Sequence, residues 1–287
     1  GETDFSENAP QEETTALINE GVAEYRFQVG TYYLDMNNEK APFDDPNVRK
    51  AFSYAIDRDY IANVLREGSV FPAYAFAGPG YAGATPDVDF REEGGALIPE
   101  DYEEAKRIAV EALAAAGYKT PDNPNGEDFP VVEYMYNEGT GHQLIAQAMQ
   151  QQWMEVLGID VQLVSQEWNV FLDTRRKGDY FMARDGWIAD YIDAYSMLSL
   201  NASASGNNNA QYRKPEYDAL LNEASQSSDQ AVRAEAMHKA EQMLVVDDAA
   251  VGPIYYYTDL LVYSPNLKNW GYTPVGYKFF HHAFVEE

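Results

Sequence analysis

Apolar and polar positions along the chain change period several times, and each change marks an element. TYYLDMN (31–37) alternates with the period of two expected of a strand. APFDDP follows and prepares a helix start, with Asp45 placed to cap and Pro46 at the first turn. Val48, Ala51, Phe52, Ala55 and Ile56 then recur on one helical face. A second helix, about Tyr60 to Arg66, stops at Gly68. Residues 69–98 are rich in Gly, Pro and Ala with little periodicity, and read as an irregular excursion over the surface. Helix resumes near Glu100, where the acidic EDYEE turn suits the positive helix end, and stops at Gly117.

The most regular stretch comes next. VVEYMY (131–136) reads as a strand; Leu144, Ile145, Ala148, Met149, Trp153, Val156 and Leu157 mark a helix closed by Gly158; IDVQLV (159–164) reads as a second strand. A shorter helix from Trp168 to about Arg176 and a strand near Tyr180 to Ala183 complete a β-α-β-α-β run. Such alternation predicts parallel strands with right-handed crossovers. Ligands of parallel sheets sit beyond the carboxyl ends of the strands. The loops YNEGTGH (136–142), SQEW (165–168) and RDGWIADY (184–191) therefore share one rim. Beyond a polar loop at 201–211, helices are expected at about 215–226 and 230–246, then an aromatic strand at 252–264.

Composition narrows the function. The chain has 287 residues, 45% of them apolar, which suits one large or two modest folded domains. Twenty Lys and Arg against 47 Asp and Glu give a net charge of −27, which repels nucleic acids and anionic lipid headgroups. There is no Cys, hence no disulfide, thiolate nucleophile or Cys-ligated metal. No stretch reaches the ~18 consecutive apolar residues of a membrane span. The opening GETDFSENAPQEETT lacks the features of a signal peptide and reads as the middle of something longer. Phosphate-loop, dinucleotide, nucleophile-elbow and zincin motifs are all absent. PDNPNGED (121–128) fails EF-hand spacing and reads as a turn, adjacent His281 and His282 read as a non-metal pair, and His238 reads as a solvated face residue. No metal, cofactor or catalytic group is called for.

The rim carries the distinctive chemistry. It collects His142, Trp168, Arg184, Trp187, Asp190 and Tyr191, with Arg175 nearby. One carboxylate, three potential cations and aromatic walls suit a zwitterionic ligand, its amine on Asp190 and its carboxylate on His or Arg. The competing reading makes Asp190 a helix cap, Arg184 a structural salt bridge and the Trp residues core. Periodicity alone leaves both open.

YYLDMNNEKAPFDDPNVRKAFSYAIDRDYI, YNEGTGH, QEWNVFLDTRRKG, ARDGWIADY and AVGPIYYY, in this order and spacing, resemble the C-terminal half of extracytoplasmic oligopeptide-binding proteins, family 5 of the bacterial solute-binding proteins. The resemblance implies an α/β, periplasmic-binding-protein-like lobe with a mixed, largely parallel sheet flanked by helices. It divides the chain into a 1–30 flank belonging with a missing N-terminal lobe and hinge, a peptide-binding lobe over 31–256, and a hinge strand and return segment over 257–287. It implies a non-enzymatic substrate-binding component of a peptide ABC importer, outside the cytoplasmic membrane, with oligopeptide and permease subunits as partners. Membrane association would come only from a missing N-terminal lipoprotein anchor. In the resemblance Asp190 takes the peptide's α-ammonium group, while His142, Arg175 and Arg184 meet its carboxylate. Trp187, Trp168 and Tyr191 complete the expected site. A relative specialised for a metal chelate, opine or sugar, an acid hydrolase, and an adhesion or signalling module are the alternatives.

Overall fold

In the computed structural model, residues 3–7, 9–121 and 123–286 are described. The strands are β1 (Phe5–Ser6), β2 (Ala23–Met36), β3 (Phe71–Pro72), β4 (Glu133–Asn137), β5 (Gln162–Gln166), β6 (Met182–Ile188) and β7 (Val251–Tyr263). They form one sheet in the order β1-β7-β2-β6-β4-β5, with β3 also on β7. The helices are α1 (Gln11–Asn19), α2 (Pro46–Tyr54), α3 (Phe90–Gly94), α4 (Tyr102–Ala115), α5 (Thr140–Leu157), α6 (Trp168–Lys177), α7 (Tyr195–Leu198), α8 (Pro215–Gln226) and α9 (Gln230–Gln242). Residues 267–285 add two short antiparallel pairs outside this sheet.

The sheet is mixed, as expected, but its parallel part is confined to β5-β4-β6. Its longest ladders are antiparallel, β2 against both β6 and β7. The alternating β-α-β-α-β pattern signals only the parallel part, because a strand paired across more than 200 residues leaves no local trace. Both long strands also run on past the positions at which the flanks were divided: β2 through Gly30 and β7 through Tyr257. Their mutual register shifts between Phe27 and Thr31.

Helix starts follow the local chemistry. Asp45 accepts Asn47 N–H at 2.7 Å with Pro46 behind it, and Asp101 caps α4 through Glu103 N–H. Gly158, in the left-handed region at φ 71°, ends α5. The predicted helix at Tyr60–Arg66 is a π-helical turn over Tyr60–Leu65. Trp153, fully buried, donates its indole N–H to Phe52 O at 2.9 Å and ties α5 to α2.

Residues 69–98 do not run wholly over the surface: 85–88 are exposed, but the middle of the segment is interior. Ala73, Ala75, Phe76 and Ala77 are fully buried. A buried irregular backbone needs side-chain partners, and here Glu241 of α9 supplies them: its Oε1 accepts Phe76 N–H at 2.9 Å and Ala77 N–H at 2.7 Å. Arg91 completes the arrangement with an ion pair to Glu241 at 2.8 Å. Arg58 donates to Ala73 O and Pro253 O from below. His238 is likewise packed rather than solvated, stacked on Phe90 with ring centroids 3.9 Å apart. His281 and His282 lie in a turn, and Asp122 of PDNPNGED falls outside the described residues.

Candidate functional site

The three parallel strands deliver their carboxyl ends to one rim, as the alternation predicted: Asn137 to His142 after β4, Glu167 and Trp168 after β5, Ala189 to Tyr191 after β6. Arg184 and Trp187, expected in the loop, lie within β6 itself, which continues to Ile188. This difference matters because β4 pairs with β6 only at Met182 and Ala183. From Arg184 onward β6 has a strand neighbour, β2, on one side only. Ala189 N–H donates to Val29 O at 2.7 Å, so residues 185, 187 and 189 turn their backbone groups toward β2 and residues 186 and 188 turn theirs to the open edge. A cavity of about 240 Å³ is lined by Gly186, Trp187, Ile188 and Tyr257. A Cβ at Gly186 would sit 2.1 Å from the Tyr257 hydroxyl, so a larger residue there would have to displace the end of that side chain. The Trp187 indole N–H is buried without a partner.

Arg184 is 8% exposed, and its Nε donates to Asn137 Oδ1 at 2.6 Å. Its guanidinium lies over the rings of Trp168, Phe171 and Tyr32, at 5.4, 5.5 and 5.9 Å from their centroids. Among the described residues no carboxylate pairs with it. The structural salt bridge considered for Arg184 is therefore not made. A buried guanidinium with aromatic walls and no counter-anion is an anion-seeking group.

His142, in the first turn of α5, stacks on Tyr32 and lies 3.3 Å from its hydroxyl through Nδ1. Burial, followed by the charges of Arg184 and Arg66, pushes its pKa down to about 4. It is thus a neutral hydrogen-bonding group at pH 7 and not one of three cations. Tyr32 in turn stacks on Tyr255 at 4.7 Å.

Arg66 was missed by the sequence reading. It follows the π-helical turn, lines a cavity of about 310 Å³ with Tyr25, Tyr255 and Tyr257, and its buried Nε has no partner. It has no ion pair among the described residues, and no periodic signal singles out one Arg before a Gly.

Asp190 is exposed just past β6, and its carboxylate has no hydrogen bond or ion pair among the described residues. It does not cap the following helix: the carboxylate near the start of α7 is that of Asp193, which accepts Tyr195 N–H at 2.9 Å and pairs with Arg233 at 2.5 Å. Tyr191 beside it is 49% exposed and Trp168 is 45% exposed.

Arg175 reaches the inner end of the β6 edge, but its guanidinium is already paired there. Its Nη1 is 2.5 Å from Asp185 Oδ1 and donates to Arg184 O at 3.2 Å, within a buried cluster that includes Asp35 and Tyr33. Burial first, and then the Asp185 charge, hold the Asp35 carboxyl well above the ordinary range. Among the described residues, no three His, Cys, Asp or Glu side chains are grouped to hold a metal ion, and no helix is long and apolar enough to cross a membrane.

An α/β lobe whose mixed sheet leaves a strand edge open between an unpaired carboxylate and unpaired guanidinium groups is the architecture of a binding protein. The chain belongs to the bacterial extracellular solute-binding proteins, family 5, whose middle-region profile matches residues 1–209. It is 33% identical to the oligopeptide-binding protein OppA of Bacillus subtilis (strain 168), over 96% of this chain and 49% of that protein. Its fold is similar to the unliganded open form of the periplasmic murein tripeptide-binding protein MppA, with TM-score 0.84 and 28% identity, over 99% of this chain and 53% of that one. It also resembles Haemophilus influenzae OppA in complex with the peptide RPPGFSPFR, with TM-score 0.74 and 31% identity, over 99% of this chain and 54% of that one. The chain spans about half the length of the relatives it matches.

Proposed function

We propose that this chain is the C-terminal lobe of an oligopeptide receptor that captures peptides outside the cytoplasmic membrane and delivers them to the permease of an ABC importer. The observation that carries the reading is the open β6 edge at Gly186–Ile188, which ends two residues short of the unpaired Asp190 carboxylate. An extended main chain adds to such an edge by β-augmentation, a mode that reads backbone rather than side chains. Asp190 then meets the α-ammonium group. Arg184 and Arg66, both near enough to neutral His142 to depress its pKa, offer charge-assisted partners to a carboxylate further along the groove. Trp187, Trp168 and Tyr191 supply walls. Arg175 is left out of the ligand set, since its guanidinium is already paired.

The same reading assigns residues 1–30 and 257–287 to a hinge and a second lobe. Its support is that β2 and β7 run side by side through both boundaries, with the register shift of β2 at Phe27–Thr31 as a place to bend. The relatives' names describe binding proteins, and the proposed role involves no turnover.

The test is calorimetry with a free-amine tripeptide, its N-acetylated form and a disaccharide. Binding of the free-amine peptide alone is the expected result. Equal binding of the acetylated form, or binding of the sugar alone, would remove the proposal.

A further inference from the structure

The open edge of β6 is not wholly available to a ligand, and the reason is a pair of side chains from the buried cluster behind it. On that edge the groups that come after the β4 pairing are, in order, Arg184 C=O, Gly186 N–H, Gly186 C=O and Ile188 N–H. The first two are already satisfied. Arg175 Nη1 donates to Arg184 O at 3.2 Å, and Asp185 Oδ1 accepts Gly186 N–H at 2.7 Å. The two side chains are paired with each other at 2.5 Å, so together they present one donor and one acceptor to the edge. This is the hydrogen-bonding pattern one residue of an added strand would supply.

The pair is held in place. Asp185 is 3% exposed, and its Oδ2 accepts from Asn209 Nδ2 at 3.1 Å. Arg175 is 9% exposed and lies against the Phe171 ring, 5.2 Å from its centroid. Asp35 stands behind them, and no donor reaches its buried Oδ2. Tyr33 and Tyr180 complete the surroundings. A ligand carbonyl seeking Gly186 N–H would have to displace a carboxylate that also balances a buried guanidinium, and breaking such a pair is costly.

We propose that the Asp185–Arg175 ion pair is a plug that closes the inner part of the β6 edge and fixes the register of a bound peptide. Main-chain pairing then begins at Gly186 C=O and Ile188 N–H, next to Asp190. Asp185 and Arg175 are positioning residues; they do not touch the ligand. The proposal rests on the peptide reading for its consequence, though not for the plug itself.

Amide hydrogen exchange of the full chain, followed by NMR with and without a free-amine tripeptide, separates the two. In the ligand-free parent protein Gly186 N–H should exchange at least about tenfold more slowly than Ile188 N–H, because only the former has a partner. Tripeptide should slow Ile188 and leave Gly186 unchanged. In Asp185→Ala, Gly186 should lose its protection without ligand and regain it when peptide is added. Asp185→Asn, whose amide oxygen can still accept, should retain most of the parent's protection. Fast Gly186 exchange in the ligand-free parent would overturn the plug, as would Gly186 becoming protected only on adding tripeptide, and both readings need no variant to fold. Slow Gly186 exchange with no effect of peptide at Ile188 would leave the plug standing and remove the peptide reading.

Discussion

At the scale of single residues, the site is a set of charges whose partners are missing or withheld. Asp190 carries the sharpest consequence. It is solvated in this lobe, but a second lobe closing on the ligand would desolvate it together with the α-ammonium group. Removing one partner of a desolvated pair costs ~2–5 kcal/mol, largely because the other charge is stranded. In the two-lobed protein, Asp190→Asn should therefore weaken free-amine peptides about 30-fold or more, the equivalent of ~2 kcal/mol. N-acetylated peptides should change little, and this comparison controls for damage to the fold. His142 makes a different prediction, because its pKa is depressed to about 4 in the folded chain while the unfolded imidazole titrates near ~6.5. Between these values the unfolded state binds the extra proton, so the stability His142 contributes is complete above the unfolded value and is lost as pH falls toward 4. The imidazole is half-buried, so solvent screening trims the size of the effect. Denaturant unfolding at pH 7 and pH 4.5 should show His142→Gln losing less stability on acidification than the parent. An equal loss in both would mean that His142 is not held neutral.

At the scale of elements, the sequence was most legible where period and caps are local. Asp45 and Gly158 marked helix ends correctly, the acidic EDYEE turn marked the start of α4, and the parallel β5-β4-β6 unit with its rim followed from alternation alone. What stayed hidden depends on partners distant in sequence. The length of β2 and β7 is set by pairing with each other, and the extension of β6 past β4 is visible only once β2 covers its other side. The ion pair of Arg175 stayed hidden for the same reason: nothing in RRKG reveals that Asp185 and Asp35 wait on neighbouring strands. Residues 69–98 show the effect most clearly, since part of a Gly- and Ala-rich stretch without periodicity, around Phe76 and Ala77, is interior and bonded to one distant carboxylate. Glu241 is fully buried and serves two backbone N–H groups and Arg91 at once. Glu241→Leu would leave Arg91 unpaired and both amides unsatisfied, so a loss of ~3–5 kcal/mol is expected in urea unfolding. Faster amide exchange should concentrate in residues 73–98. A loss below ~1 kcal/mol would show that the segment is held by its own packing.

At the scale of the whole molecule, the proposed binding face carries exposed apolar side chains. Trp168, Ile188, Tyr191 and Ile192 are each 42–49% exposed around the rim, and large apolar side chains gathered beside a polar groove mark a surface that something covers. In the proposed reading the cover would be a second lobe, with the ligand between the two. On the proposed binding mode, a peptide on this face alone would pair with β6 and meet Asp190, yet keep its outer edge in water and share its ion pairs with solvent. Hydrogen bonds and charge pairs made in water contribute much less than desolvated ones. If closure adds only ~3 kcal/mol, this chain should bind the same tripeptide at least ~100-fold more weakly than a form carrying both lobes. Calorimetry of the two forms side by side measures the ratio directly. Equal affinities would mean that the site lies wholly in this lobe, and that the exposed apolar rim serves a contact other than closure.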